Sequence, residues 1–232
     1  MDAKQQNRFR WAFCQIQALE CCYNPQSLRS TLDNLPDTLD ETYARILESI
    51  PQNNKQDATT ILRLLTWSER PLRLEEVVDA IAVQPAARPS FDPKNRMPEP
   101  RDILRICSSL VTLVRRPLVG HVDGITDVDG DENGVERTVT ELRLAHFSVE
   151  EYLISDRIAL SFSSSLADRT ARASIATLCF AYLTDLDHTL PLDELRAQFP
   201  FSQYCAEYWM VHAKAADGVD EGLQTMILEF LH

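Results

Sequence analysis

The stretch "RDILRICSSLVTLVRR", Arg101 to Arg116, is where the reading of the fold turns. Its first ten residues space Ile103, Leu104, Ile106, Cys107 and Leu110 as one apolar helical face, and its last residues alternate and branch like a strand. A second β-rich run, "TVTELRLAH", begins at Thr138. Between the two runs lies a Gly- and Asp-rich segment with little to bury, which predicts a hairpin with a polar tip.

Working outward from the hairpin, the sequence reads as helix on both sides. Upstream, apolar residues recur at helical spacing: Phe9, Phe13, Ile16, Leu19 and Tyr23, then Leu28, Leu32 and Leu35, then Leu39, Tyr43, Ile46, Leu47 and Ile50. Asn24-Pro25 suits a cap followed by proline at the first helical position. Thr38 with Glu41 fits a capping box. A fourth helix carries Ala58, Ile61, Leu62 and Leu65 and should stop before Pro71. A fifth, "LRLEEVVDAIAV", turns Leu74, Val77, Val78 and Ile81 inward and its two glutamates to solvent. Pro85, Pro89, Pro93, Pro98 and Pro100 then crowd one segment, which predicts a long surface loop. Downstream, helices are expected from Phe147, through Ile175, Leu178 and Tyr182, around "SQYCAEYWMVHA", and along Leu223, Met226, Ile227 and Phe230. The last stripe ends without a cap or polar tail, and a further element covering it is expected.

These elements predict a mainly α chain in three parts: a helical segment over 1–53, a winged-helix domain with a β-hairpin wing over 54–158, and a further helical segment over 159–232. The order helix, helix, helix, strand, tip, strand, helix carries the winged-helix reading.

The chain has 232 residues, 44% of them hydrophobic, enough for sizeable cores. A net charge of −12 opposes phosphate backbones and anionic lipid. Arg101, Arg105, Arg115 and Arg116 are locally basic, so a DNA-binding winged helix stands as the alternative function, although the acidic wing, from Asp123 to Glu136, would repel phosphates. The six cysteines form no C-x-x-C pair, which suits a reducing compartment. No apolar run reaches about eighteen residues and no leader pattern opens the chain, so a cytoplasmic protein without membrane contact is expected.

Chemistry-bearing patterns are few. Asp129, Asp131, Asn133 and Gly134 match the start of a calcium loop, but the twelfth position is Thr140 rather than Glu and the flanks read as strands, so a solvated loop is expected and no metal site. Neither a G-x-S-x-G elbow nor a phosphate loop, H-E-x-x-H or G-x-G-x-x-G occurs. His146, Ser148 and Glu151 lie close in sequence, yet His146 and Ser148 need not converge, and Ser148 is expected to cap the following helix. No catalytic residue is assigned and a non-enzymatic chain is expected. His212 shares a face with Tyr204, Cys205, Tyr208 and Trp209, read as a packed core stripe. His121, His188 and His232 have no ligand-spaced partners.

Six segments together, "FRWAFCQIQAL", "LDNLPDTLDETYARIL", "WSERPLRLEEVVDAIAV", "ICSSLVTLV", "LAHFSVEEYLIS" and "FPFSQYCAEYWMVHA", resemble the region C-terminal to the NACHT nucleotide-binding domain of fungal NACHT proteins, commonly followed by ankyrin repeats. The winged-helix part of that family is often labelled after GPI inositol-deacylase, but this chain carries no nucleophile elbow for a lipase. The resemblance implies a relay or restraint between a nucleotide-switched module and a repeat array, in signalling of a self/non-self or cell-death kind. Its partners would be its own NACHT domain and the downstream repeats, and the chain itself would hold no cofactor. It also gives His146 two readings. In related signalling NTPases a histidine at a strand end opening a helix, in an M-H-D-type motif, touches the nucleotide's β-phosphate; here Phe147 and Ser148 follow it, with no Asp. His146 is therefore read either as a nucleotide sensor within a longer polypeptide or as a hydrogen-bonded structural residue.

Overall fold

The structure is a computed structural model that describes residues 3–20, 22–117, 138–186, 189–216 and positions 224, 225 and 228. It is mainly α-helical with one small antiparallel sheet. Three helices open the chain: α1 (Ala3–Glu20), α2 (Pro25–Asp33) and α3 (Leu39–Ser49). Local chemistry sets their starts. Asn24 accepts the Ser27 N–H at 2.7 Å ahead of Pro25. At α3 the Thr38 hydroxyl accepts the Glu41 N–H (3.2 Å) while the Glu41 carboxylate accepts the Thr38 N–H (3.3 Å), the reciprocal pairing expected from their spacing.

The middle of the chain runs α4 (Lys55–Trp67), β1 (Leu72–Arg73), α5 (Leu74–Ala82), α6 (Ile103–Cys107), β2 (Val111–Pro117), β3 (Thr138–Leu144) and α7 (Phe147–Leu153). The sheet order is β1-β3-β2, antiparallel throughout, with Leu72 and Leu113 both opposite Leu142 and Val111 opposite Leu144. β3 is central, and β2 and β3 pair antiparallel as the two expected hairpin strands. The wing itself, with Asp129, Asp131, Asn133, Gly134 and His121, lies outside the described residues, as do Cys21, His188, His232 and the expected stripe at Leu223, Met226, Ile227 and Phe230.

The single helix expected over Arg101 to Leu110 is divided. Two 3-10 turns, Pro100–Asp102 and Ser108–Leu110, flank the short α6. Ser108 sits at φ 49° and ψ −137°, a left-handed conformation that turns the chain so that Leu110 enters the core and β2 can start. Periodicity could not show this break, because the apolar face runs through it without interruption.

Four helices follow: α8 (Leu160–Leu166), α9 (Asp168–Thr184), α10 (Leu192–Gln198) and α11 (Ser202–Ala215). They share one core with the rest. A contiguous apolar cluster extends from Cys14 and Tyr43 through Ile61, Leu142 and Tyr152 to Tyr182 and Cys205. The segment boundaries expected near residues 53 and 158 are therefore crossed by continuous packing.

One expectation is refined and another corrected. The proline-rich segment is a surface loop, but an anchored one: Phe91 is buried, 4.6 Å from the Tyr182 ring, and one Asp185 carboxylate oxygen accepts both the Ser90 (2.6 Å) and Phe91 (3.0 Å) N–H groups. Proline forbids regular structure but does not forbid burial once each remaining N–H has a partner. Of the two glutamates on α5, Glu75 is exposed but Glu76 is buried. Its carboxylate turns back to accept the Arg73 N–H (2.7 Å) and a two-pronged Arg70 guanidinium (2.7 and 2.9 Å), which offsets its desolvation.

Candidate functional site

His146 occupies the corner between β3 and α7. Its backbone is extended (φ −160°, ψ 150°), so the ring folds over the first turn of α7, and Nδ1 accepts the Ser148 N–H at 3.3 Å. His146, rather than Ser148, is the cap. The two side chains do converge, contrary to expectation, with Nδ1 and the Ser148 hydroxyl 2.7 Å apart. The same hydroxyl lies 2.9 Å from the buried Tyr43 hydroxyl on α3. The donor order that satisfies every atom runs from Tyr43 O–H to Ser148 Oγ and from Ser148 O–H to His146 Nδ1.

This order leaves the ring proton on Nε2. Among the described residues no hydrogen-bond partner is seen for Nε2. Burial lowers the His146 pKa, the nearby Arg10 charge lowers it further, and Glu151 opposes both. The resting ring is neutral, half-buried, and tilted against Phe147 at 4.2 Å. Glu151 is exposed, so the orienting carboxylate of a triad is not supplied by that residue. Both hydrogen-bonding directions of the Ser148 hydroxyl are in use and Ser148 is buried, so the pair forms a structural relay rather than an approachable nucleophile.

The relay extends to α1. Arg10 is buried, donates through Nη2 to the Ser109 carbonyl, and lies close enough to Tyr43 to lower its pKa, although burial raises that pKa overall. Trp11 donates to the Pro36 carbonyl at 2.9 Å and Gln15 to the Thr42 hydroxyl at 3.0 Å. α1 is therefore seated by Arg10 and Gln15 together with the core residue Cys14, which face inward, while Phe9, Phe13 and Ile16 are 65%, 49% and 57% exposed. Leu28 and Leu32 of α2 are also exposed. The apolar spacing read from the sequence is present, but it faces outward.

The remaining sequence-marked residues are dispersed. Arg101, Arg105, Arg115 and Arg116 are exposed; Arg105 pairs with Asp102 at 3.5 Å and Arg116 with Glu141 at 3.2 Å. The helix that would meet DNA, α6, spans five residues, with Ile103, Ile106 and Cys107 buried. His212 lies fully in the core, 2.8 Å from the Tyr204 hydroxyl, and burial lowers its pKa to about 4. Cys14, Cys22, Cys107, Cys179 and Cys205 are free thiols. Among the described residues no group of three or more His, Cys, Asp or Glu side chains could hold a metal ion, and no helix is long and apolar enough to cross a membrane.

The chain is 34% identical over 208 residues to the Azaphilone pigments biosynthesis cluster protein L of Monascus ruber, an alignment covering 88% of this chain and 41% of that protein. It thus spans about two fifths of the length of the curated relative it matches. No protein-family model matches the chain, and no solved structure matches it.

Proposed function

We propose that this chain is a non-enzymatic regulatory segment of a cytoplasmic NACHT-type signalling NTPase, relaying or restraining the nucleotide switch through intramolecular contacts. The observation that carries the reading is the outward apolar face of α1, Phe9, Phe13 and Ile16, on a helix whose inner side is already packed through Arg10, Cys14 and Gln15. A helix packed on its inner side and apolar outside is built to be covered on both sides. The nucleotide-binding module of the same polypeptide is the partner we assign to that face, with the repeat array as the second neighbour. The matched relative, more than twice the length of the aligned region, leaves room for such modules.

His146 would then couple the phosphate to the helices. Its Nε2–H is a donor, and its Nδ1 is tied through Ser148 and Tyr43 to α3. A phosphate contact made in only one arrangement of the modules gives the differential affinity needed to bias a two-state switch. In the longer polypeptide, His146→Ala is expected to speed nucleotide release or raise basal signalling. If neither changes, His146 is not a sensor.

Duplex DNA is the weaker reading. Arg101, Arg105, Arg115 and Arg116 remain exposed, but the net charge is −12 and the helix available for the groove is one of the shortest in the chain. Binding to duplex DNA with the salt slope of several phosphate contacts would restore it.

A further inference from the structure

Arg10 is the one arginine that is less than a tenth exposed among the described residues, at 8%. Arg70, Arg96 and Arg172, all more exposed, each meet a carboxylate within 2.7 Å. Arg10 meets none among the described residues: Nη2 reaches the Ser109 carbonyl, the guanidinium lies over the Phe13 ring at 5.4 Å and close to Tyr43, and Nε is buried with no partner. A guanidinium removed from water without a counter-charge costs several kcal/mol in general, so a protein that keeps one has a use for it or a ligand that compensates it.

The surroundings supply the second observation. Arg10 lines an open cavity of about 480 Å³ whose polar wall is Gln17, Ser108, Ser109 and Thr112 and whose apolar wall is Phe13, Leu104, Val111 and Ala145; among the described residues no acidic side chain lines it. Gln17 has a buried amide oxygen without a partner, and turning that amide over would present its N–H groups instead. Ser108, at positive φ, forms part of the wall. The lining therefore sets one fixed positive charge and several hydroxyl and amide donors beside an apolar wall.

We propose that this cavity is an oxyanion seat in which Arg10 is the charged ligand and a phosphoryl group is the occupant. A carboxylate shares the chemistry, but three acceptor oxygens arranged around phosphorus match a guanidinium plus several hydroxyls better than two coplanar oxygens do. The seat stands whether or not the chain relays a nucleotide switch, since it needs only the described residues.

The test uses the full 232-residue chain titrated with inorganic phosphate and, at matched ionic strength, with acetate, followed by calorimetry and Tm. Phosphate is expected to bind saturably and raise Tm, with acetate weaker. Arg10→Gln should weaken phosphate at least tenfold, while Arg8→Gln, exposed on the same helix, should leave it unchanged. Should Arg10→Gln fail to fold, Gln17→Glu decides: placing a carboxylate in the cavity should abolish the phosphate response without lowering Tm. Absence of phosphate binding by the unmodified chain, an undiminished response in folded Arg10→Gln, or an undiminished response in Gln17→Glu would overturn the seat. Acetate binding as tightly as phosphate would overturn the phosphoryl assignment.

Discussion

The two histidines that the structure describes, His146 and His212, are both driven toward the neutral ring by burial, with opposite consequences for what each can do. His212 has no exposed surface, and its folded pKa of about 4 lies below its ordinary 6.5. The unfolded chain therefore binds the proton more readily, so this contribution to stability is complete above pH 6.5 and is lost as pH falls toward 4. The loss is up to about 3 kcal/mol from the size of that shift. A pH series of Tm on the unmodified chain and on His212→Gln should show a shallower acid limb in the variant; parallel limbs would remove His212 as the cause. At the other site, Tyr43→Phe should cost about 1–2 kcal/mol by denaturant unfolding, because it leaves the buried Ser148 hydroxyl short of a donor. A neutral outcome would mean that water replaces the Tyr43 hydroxyl. The core role of His212 was legible from its helical spacing to Tyr204 and Tyr208. The pairing of His146 with Ser148 was not, because it depends on an extended backbone at the cap that residue types alone do not specify.

Elements form where local signals and burial agree, and the exceptions are informative. The caps at Asn24 and Thr38, the stop of α4 before Pro71 and both hairpin strands follow directly from turn chemistry and period. β1 was missed because two residues carry no period, and α8 and α10, at seven residues each, give periodicity little to work on. The break at Ser108 was hidden by an uninterrupted apolar face. Its left-handed backbone is a conformation glycine holds without strain, so Ser108→Gly should stabilise the chain by about 1 kcal/mol in chemical denaturation, whereas Ser108→Val should destabilise it. Equal stability of the three chains would show that the turn carries no strain. The proline-rich segment depends on two anchors. Asp185→Ala strands the Ser90 and Phe91 N–H groups, and it is expected to increase protease cleavage between residues 84 and 100 well before global unfolding.

At the scale of the whole molecule, a single core joins the opening helices, the sheet-containing middle and the closing helices. Mainly α class and the helix-to-hairpin order were legible; the shared core was not, since it rests on contacts such as Arg63 to the Ser165 carbonyl and Trp67 to the Leu166 carbonyl, each about a hundred positions apart. The sequence pattern also marked the apolar stripe of α1 without showing which way it faces, because spacing identifies a face and only packing assigns it to the interior or to a partner. The proposed relay acts through that outward face, which gives the most direct measurement. The nucleotide-binding module that the proposed function assigns to a longer polypeptide, produced separately and loaded with nucleoside diphosphate or triphosphate, would be titrated with this chain. Relay through α1 and His146 predicts binding that differs between the two nucleotide states and that weakens at least tenfold in Phe13→Glu, with the fold of the variant intact by circular dichroism. Equal affinity in both states, or no binding in either, would contradict it.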